Sequence, residues 1–179
     1  VLRERGHEVR QVFTSDDKDP LRKVPRKLAD PDGNIVGLGE VDAGALGRNL
    51  GKPYTDIPDP FGEKESYAAH FADLLKTDAD RLGVPVEMVS NTDLYADGTF
   101  EPVVRTALER IDDARAVLGE YQDKVDETYV PFNPVCAECG KVTETVTDVD
   151  LDAGTVDYEC TGMEAGGTEI EGCGHAGTA

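Results

Sequence analysis

The four cysteines of this 179-residue chain all lie in its last quarter, and this clustering constrains the fold more than any other feature. They occur as Cys136-Ala-Glu-Cys139, then as Cys160, and finally as Cys173. Two thiols that are two residues apart on a tight turn can hold one side of a tetrahedral zinc ion, and a second pair on a returning hairpin can complete the site. The pattern predicts a zinc ribbon whose ligands are Cys136, Cys139, Cys160 and Cys173.

The second pair of cysteines is spaced more widely than the first. Twelve residues, 161–172, separate Cys160 from Cys173, and four of them are glycines. A tight ribbon has about two residues there, so we expect a flexible loop that projects without moving the ligands. His175 is an alternative fourth ligand because imidazole also binds zinc, but the spacing favours Cys173.

Disulfide and redox chemistry are the alternatives to metal binding for these four sulfurs. Disulfide frameworks are typical of small chains in oxidising compartments, whereas the first 135 residues here contain no cysteine. A thioredoxin-like pair begins a helix after a strand, but Cys136 follows Pro131-Phe-Asn-Pro134. The sequence therefore favours a metal site.

The composition is strongly acidic, with 37 acidic and 18 basic residues and a formal charge of -19. Apolar residues recur at helical and strand spacings, which disordered acidic chains do not show. A folded protein adapted to strong salt is favoured, because the Debye length falls to about 3 Å at 1 M salt. No run of about 18 apolar residues exists, so we expect no membrane span.

Hydrophobic periodicity predicts an α/β architecture in the first part of the chain. Strands are expected at residues 8–14 and 84–89, and helices at residues 63–82 and 100–121. After the second strand, Asn91 or Thr92 can cap a short turn. Residues 30–62 are rich in Gly, Pro and Asp, have only a weak helical signal at 40–50, and are predicted to be mostly surface loop. At the start of the chain, a helix end, a Gly turn, a strand and an acidic polar loop are typical of a doubly wound sheet, where ligands bind beyond the carboxyl ends of strands.

Proline residues mark the boundary between two predicted domains, 1–130 and 131–179. The second domain would contain ribbon strands at 142–147 and 155–158. The chain begins without Met on residues typical of a helix end, and it stops just after the predicted metal site. We therefore expect it to be a piece of a larger protein.

Five segments, taken in order, resemble the archaeal-type class I lysyl-tRNA synthetases. They are residues 14–25 (Thr-Ser-Asp-Asp-Lys-Asp-Pro-Leu-Arg-Lys-Val-Pro), 51–53 (Gly-Lys-Pro), 57–60 (Ile-Pro-Asp-Pro), 65–71 (Glu-Ser-Tyr-Ala-Ala-His-Phe) and 130–136 (Val-Pro-Phe-Asn-Pro-Val-Cys). The acidic composition resembles a member from a salt-loving archaeon.

This resemblance implies a fold and an activity. The fold would be α/β, a partial Rossmann-type catalytic domain with an inserted zinc-ribbon subdomain and structural Zn²⁺. The activity would be ATP-dependent activation of lysine, with Mg²⁺, and transfer to tRNA(Lys) in the cytoplasm. Neither class I nucleotide signature, of the His-x-Gly-His or the Lys-Met-Ser-Lys type, occurs in the chain, so the piece would not catalyse alone.

Asp16, Asp17 and Asp19 follow the first predicted strand, where class I synthetases of the resembled family place the amino-acid pocket. A cationic substrate such as lysine needs carboxylates, because a partly desolvated ammonium group requires a paired anion. The resemblance thus implies substrate binding by these residues. The alternative is that they form part of a solvated acidic surface.

One basic cluster interrupts the acidic sequence, and it consists of Arg22, Lys23, Arg26 and Lys27. These residues are suited to contact the phosphates of ATP or tRNA, and equally to balance the neighbouring aspartates. His70, beside the apolar stripe of the predicted helix, is expected to be a partly buried structural histidine.

Two other functional classes compete with the ligase. One is a free-standing zinc-ribbon module that binds nucleic acid or protein, but Lys141 is the only Lys or Arg from Pro131 onward. The other is a Rossmann enzyme with a different small substrate, and the absence of a Gly-x-Gly-x-x-Gly motif disfavours it.

Overall fold

A computed structural model describes residues 1–122, 125–165 and 167–179 and shows a mixed α/β chain with two compact units. The first, which we call the parallel unit, comprises Val1–Asp19, Val24–Asn49 and Tyr54–Asp97. The second, the cysteine unit, comprises Pro20–Lys23, Leu50–Pro53 and Gly98–Ala179. The predicted domains, 1–130 and 131–179, stay a prediction, because compactness alone does not show where an independently folding domain begins.

The parallel unit contains four strands and three α-helices. In chain order they are β1 (Val12–Ser15), β2 (Lys27–Ala29), β3 (Ile35–Gly37), α1 (Ala43–Arg48), α2 (Tyr67–Arg81), β4 (Glu87–Ser90) and α3 (Asn91–Ala96). Short 3-10 helices occupy Arg3–Arg5, Leu38–Glu40 and Tyr54–Asp56.

Strands β1 and β4 form a parallel pair, in which Val12 lies opposite Glu87 and Ser15 opposite Ser90. Parallel strands require a crossover connection, and α2 lies within this one. Both strands were predicted, although each begins later than expected. Because the pair is parallel, the loop after β1 and the start of α3 lie at the same edge.

Helix α2 was predicted at 63–82 and begins instead at Tyr67. Ser66 is its N-cap, since the side-chain oxygen accepts a hydrogen bond from Ala69 N at 3.1 Å. The preceding residues wrap around the carboxylate of Asp59, which accepts from the backbone N–H groups of Phe61, Glu63 and Lys64. These N–H groups already have an acceptor, so the helix starts after them.

Helix α3 occupies a segment where we expected only a short turn capped by Asn91 or Thr92. The cap is Ser90, whose side-chain oxygen accepts a hydrogen bond from Asp93 N at 3.2 Å. The last residue of β4 thus begins the helix directly, and the prediction of the cap was wrong by one residue.

Residues 30–62 are mostly turn and loop, as predicted, and α1 lies in the segment with the weak helical signal. The prediction missed β3, which pairs with β2 in an antiparallel hairpin. The hairpin turn is stabilised by the Asp30 carboxylate, which accepts hydrogen bonds from Asp32 N at 3.0 Å and Asn34 N at 2.8 Å. Gly33 supplies the left-handed residue of this turn, with φ of 84°.

The described part of the cysteine unit contains two helices and five strands. They are α4 (Glu101–Glu109), α5 (Ile111–Leu118), β5 (Val146–Asp150), β6 (Thr155–Glu159), β7 (Gly162–Ala165), β8 (Thr168–Glu171) and β9 (Ala176–Thr178). The single helix predicted at 100–121 is therefore two helices. They are separated at Arg110, whose φ of -117° and ψ of 34° are not helical.

The strands of the cysteine unit form two antiparallel sheets, one in the order β5-β6-β9 and the other a β7-β8 hairpin. The expectation of a flexible loop at 161–172 was wrong, because that segment is this hairpin; its Gly166 lies outside the described residues. A Cβ at Gly172 would lie 1.9 Å from Cys160 O. Glycine is required there because the backbone segments at the two ends of the β7-β8 hairpin are in close contact.

The hairpin packs into a small apolar cluster of buried Val142, Met163 and Ile170. Leu50, Val135 and Ala165 pack against this cluster. These contacts pack the β7-β8 hairpin against the rest of the cysteine unit. In the part of the chain that the structure describes, no helix has the length and apolar character needed to cross a bilayer.

Candidate functional site

The four cysteine sulfurs converge in the cysteine unit, and all lie within 4.8 Å of one another. Cys136 Sγ is 3.7 Å from Cys173 Sγ, and Cys139 Sγ is 3.6 Å from Cys160 Sγ. Four sulfurs at about 2.3 Å from one tetrahedral centre would be about 3.8 Å apart. The observed spacing therefore suits a metal ion of zinc's size.

The two pairs of cysteines lie on turns with the same backbone pattern, which we call the first and second knuckles. In the first, Cys136 N donates to Lys141 O at 2.8 Å, and Gly140 N donates to Cys136 O at 2.9 Å. In the second, Cys160 N donates to His175 O at 2.8 Å, and Gly174 N donates to Cys160 O at 2.9 Å.

The correspondence between the knuckles explains the wide spacing of the second pair. Gly140 and Gly174 both adopt a left-handed conformation, with φ of 72° and 74°. Cys173 therefore occupies the position that Cys139 has in the first knuckle. Between Cys160 and Cys173, the second knuckle has the β7-β8 hairpin. At the same place, the first knuckle has only the two residues between Cys136 and Cys139.

Backbone amides and burial affect the thiols in opposite ways. Burial opposes ionisation of Cys136, but the N–H groups of Cys139 and Glu138 donate to its sulfur, and the pKa of Cys136 is lowered to about 6. Burial raises the pKa of the Cys160 thiol to about 12. The first knuckle thus favours a thiolate, which is the form that binds metal.

Tyr158 of β6 supports the first knuckle. Its ring is 2% exposed and belongs to the buried cluster of Cys136 and Cys160. Its hydroxyl oxygen accepts a hydrogen bond from Ala137 N at 2.9 Å. The β5-β6-β9 sheet thereby fixes the turn between Cys136 and Cys139.

His175 is not part of the metal-ligand group found among the described residues, which consists of the four cysteines. Its carbonyl oxygen is used in the second knuckle, and its ring lies 6.3 Å from that of Tyr158. This geometry favours Cys173 over His175 as the fourth ligand. All four cysteines are free thiols, so the described structure contains no disulfide among them.

A second candidate site lies in the parallel unit, beyond the carboxyl end of β1. A cavity of about 330 Å³ opens there, and its lining includes Asp16, Asp17, Tyr54, Tyr67, Phe71 and Leu75. Two of the three predicted substrate-binding aspartates thus line one cavity. Asp19 is absent from the lining of this cavity.

The two aspartates in the cavity have different surroundings. Asp17 is 7% exposed, and its Oδ1 accepts hydrogen bonds from Thr92 N at 2.8 Å and Thr92 Oγ1 at 3.0 Å. Asp16 is exposed, and its Oδ1 accepts from Asn91 Nδ2 at 2.9 Å. Asp17 therefore connects β1 to the start of α3, while Asp16 faces solvent.

Aromatic side chains form one wall of this cavity. The rings of Tyr54 and Tyr67 stack with centroids 5.4 Å apart, and those of Tyr67 and Phe71 are 4.8 Å apart. Burial raises the pKa of the Tyr67 hydroxyl, and Tyr54 raises it further, so Tyr67 is neutral at pH 7. Sequence analysis missed Tyr54, although Tyr54 directly follows the Gly-Lys-Pro segment at 51–53 that contributes to the family resemblance.

The predicted basic cluster is divided between the two compact units. Arg22 and Lys23 belong to the cysteine unit, and Arg26 and Lys27 to the parallel unit. All four side chains are exposed. Within residues 1–122, 125–165 and 167–179, none of them forms an ion pair with an aspartate, so phosphate contact stays a prediction.

His70 is a structural residue of the parallel unit, as expected, but it is fully buried at 1% exposure. Its Nε2 lies 2.9 Å from Ala29 O, and its Nδ1 lies 3.5 Å from Asp59 Oδ1. The ring therefore ties α2 to the β2-β3 hairpin.

Comparisons with known proteins complete the description of the site. Residues 1–179 match the family described as tRNA synthetases class I (K). The chain is 73% identical over 179 residues to the lysine–tRNA ligase of Halobacterium salinarum, which is 100% of this chain and 33% of that protein.

Two further relatives show the same partial coverage. The lysine–tRNA ligase of Haloarcula marismortui is 71% identical over 100% of this chain and 33% of its own length. Lysine–tRNA ligase 1 of Methanosarcina acetivorans is 34% identical over 99% of this chain and 29% of its own length. The chain spans about a third of the length of these curated relatives.

Proposed function

This chain belongs to the family of tRNA synthetases of class I (K), and we propose that it is part of a lysine–tRNA ligase. The longer protein would activate lysine with ATP and Mg²⁺ and transfer it to tRNA(Lys). The observation that carries this proposal is the 73% identity to the Halobacterium salinarum ligase over every residue of the chain.

The test is aminoacylation by the full-length protein. With ATP, Mg²⁺ and tRNA(Lys), we expect the protein to esterify the tRNA with lysine. Arginine differs from lysine in its head group and ornithine in its stem length, so we expect little charging with either. Charging of tRNA(Lys) by an amino acid other than lysine, or no charging at all by a folded full-length protein, would overturn the proposal.

We propose further that the parallel unit is part of a Rossmann-type sheet. The parallel pairing of β1 and β4 around a crossover that contains α2 supports this, because such crossovers are the repeating unit of that fold. The cavity at the carboxyl end of β1 lies where such sheets bind ligands.

In this cavity the lysine substrate would be held by two kinds of contact. The exposed carboxylate of Asp16 would pair with the ammonium group, and the wall of Tyr54, Tyr67 and Phe71 would pack against the aliphatic stem. Asp17 would act as a positioning residue through Thr92. Asp19 would have no direct role.

The cysteine cluster would hold one structural Zn²⁺ in a zinc ribbon, with Cys136, Cys139, Cys160 and Cys173 as ligands. The sulfur spacing and the amide groups directed at Cys136 support this assignment. The ion would supply a crosslink between two turns that the small core of this unit does little to hold.

Elemental analysis of the full-length protein tests the metal site. We expect about one zinc per chain, lost in the double variant Cys136→Ser and Cys139→Ser together with a lower thermal midpoint. Glu138→Gln is the matched control, since it alters the same turn but no ligand and should keep its zinc. A wild-type protein without metal would contradict the assignment.

A further inference from the structure

Beyond its metal, we propose that the cysteine unit carries an RNA-binding surface formed by Arg22, Lys23, Lys52 and Lys141 beside the first knuckle. The inference rests on the proposed function only for the identity of the RNA. Lys52 and Lys141 were not among the expected phosphate contacts, and the structure brings them together with two residues that were.

Backbone pairing places the three contributing segments side by side. Leu21 N donates to Lys52 O at 2.9 Å, and Gly51 N donates to Leu21 O at 2.9 Å. Val142 N then donates to Gly51 O at 2.8 Å. The segment with Arg22 and Lys23 is thus hydrogen-bonded to the segment with Lys52. That segment is in turn hydrogen-bonded to Val142, which directly follows Lys141 at the end of the first knuckle.

Each of the two lysines packs against the glycine that precedes the other lysine: Lys52 against Gly140, and Lys141 against Gly51. A Cβ at Gly140 would lie 3.7 Å from Lys52 Cε, and a Cβ at Gly51 would lie 3.2 Å from Lys141 Cδ. Each lysine directly follows one of these glycines, so the repeated Gly-Lys pair encodes the arrangement. Packing of the stems fixes the two ammonium groups at one surface and lowers the entropy lost on binding an anion.

The charges of these residues are not neutralised by any residue that the structure describes. Elsewhere in the cysteine unit, Arg110 pairs with Asp113, and Arg115 with Asp112. In contrast, Arg22, Lys23, Lys52 and Lys141 form no ion pair with any described residue. Lys141 Nζ donates a hydrogen bond to Glu171 O at 2.7 Å, and this acceptor is a neutral backbone carbonyl.

An unpaired basic surface in a chain of charge -19 indicates an anionic ligand outside the chain. Lysine and arginine contact phosphates without reading the bases, so the surface suits the backbone of an RNA. The competing explanation is that Lys52 and Lys141 balance the negative charge of four metal-bound thiolates. If the lysines contact RNA, removing their charges should weaken RNA binding and keep the zinc. If they balance the thiolates, it should reduce the zinc content.

The experiment compares charge-neutral variants of the metal-loaded full-length enzyme in binding a tRNA(Lys) transcript. Lys52→Gln with Lys141→Gln keeps each stem as far as Cδ and removes two charges. We expect about tenfold weaker binding. The slope of log Kd against the logarithm of the salt concentration should also fall by about one for each lysine removed. Zinc content and thermal midpoint should stay at the wild-type values.

Two further variants make the comparison specific. Arg110→Gln removes one charge from the same unit at a residue already paired with Asp113, and it should leave RNA affinity unchanged. Glu138→Gln removes an exposed negative charge from the first knuckle and should strengthen binding. Equal affinity in the double-lysine variant and in Arg110→Gln would overturn the proposal, and so would weaker binding that is accompanied by loss of zinc.

Kinetics separates failure of this inference from failure of the proposed function. A wild-type enzyme that does not charge tRNA(Lys) would refute the ligase. If the wild type charges it, the double-lysine variant should show a raised KM for tRNA and an unchanged KM for lysine at saturating tRNA. An unchanged KM for tRNA in that variant would refute the surface alone.

Discussion

Asp16, Asp17 and Asp19 share one loop, yet each has different surroundings. Asp17 is buried and accepts two hydrogen bonds from Thr92, Asp16 is exposed in the cavity, and Asp19 is outside the cavity lining. Because an ammonium group needs an accessible carboxylate, these differences support the proposal that Asp16 contacts the substrate and that Asp17 holds the loop in place.

We expect Asp16→Asn in the full-length enzyme to raise the KM for lysine about tenfold and to leave the KM for ATP unchanged. The reason is loss of one charge-assisted contact to the substrate ammonium. Asp19→Asn is the matched control and should leave both constants unchanged. A similar rise in both KM values for Asp16→Asn would count against a pocket role.

Asp17→Ala tests the supporting role of its carboxylate. Removing an acceptor that is 7% exposed leaves Thr92 N without its partner, so we expect the free energy of unfolding to fall by about 1–3 kcal/mol. Chemical denaturation measures the change. Full stability with a selective loss of lysine affinity would instead make Asp17 a direct ligand.

A surface ion pair between Arg10 and Glu87 connects the chain before β1 with the start of β4. Arg10 Nε donates to Glu87 Oε2 at 2.6 Å, and this hydrogen bond lowers the pKa of Glu87. The unfolded chain then binds more protons than the folded one near the pKa of Glu87. The pair therefore stabilises the fold above the ordinary glutamate pKa, and that contribution is lost as the pH falls through the lowered value.

Arg10→Gln should reduce the thermal midpoint above about pH 5 and have little effect below the lowered pKa of Glu87. Both residues are exposed, so the difference should also shrink with added salt. In a Glu87→Gln background, adding Arg10→Gln should not alter the pH profile. A pH-independent difference would show that Arg10 acts by packing.

At the scale of secondary structure, periodic segments could be predicted and turn-driven ones were missed. The strands β1 and β4 and helix α2 have apolar residues at regular spacing, and each overlaps its predicted segment although it begins later. The β2-β3 hairpin has little periodicity, but its Asp-Pro-Asp-Gly-Asn turn at 30–34 is a hairpin signal in its own right. The break at Arg110 lies inside a continuous apolar stripe, so periodicity could not reveal it.

The cysteine site was predictable in its members but not in its supports. Cys-Gly pairs at 139–140 and 173–174 indicate two equivalent turns, and the structure shows the same hydrogen bonds in both. The contacts of Tyr158, Lys52 and Lys141 depend on tertiary packing between distant segments. A single sequence contains no periodic signal for such contacts.

Removal of the β7-β8 hairpin tests whether the second knuckle is independent of its insertion. Replacing residues 161–172 with Ala-Glu, the pair found between Cys136 and Cys139, keeps Cys160, Cys173 and Gly174. Because the knuckle bonds involve only residues outside 161–172, we expect the variant to keep one zinc per chain.

The excision should nevertheless destabilise the protein. Loss of Met163 and Ile170 exposes Val142, which removes most of a small apolar cluster and costs about 2–5 kcal/mol. Zinc analysis and denaturation measure the two effects separately. Loss of zinc in a folded variant would show that the hairpin forms part of the metal site.

At the scale of the whole molecule, the formal charge of -19 makes stability depend on salt. The Debye length is about 10 Å at 0.1 M and about 3 Å at 1 M, so repulsion between surface carboxylates is strong in dilute buffer and weak in concentrated salt. We therefore expect the thermal midpoint to rise with KCl concentration, as measured by circular dichroism.

A variant with fewer surface charges separates screening from general salt effects. Glu65→Gln, Glu120→Gln and Asp152→Asn together remove three exposed charges that form no ion pair with described residues. This triple variant should unfold several degrees higher than the wild type in dilute KCl, and the difference should close at high KCl, because only unscreened repulsion distinguishes them. Sucrose, which is uncharged and excluded from protein surfaces, should raise both midpoints equally. If the midpoints of both proteins instead rose in parallel with KCl, preferential exclusion of salt would account for the dependence, and the acidic surface would not.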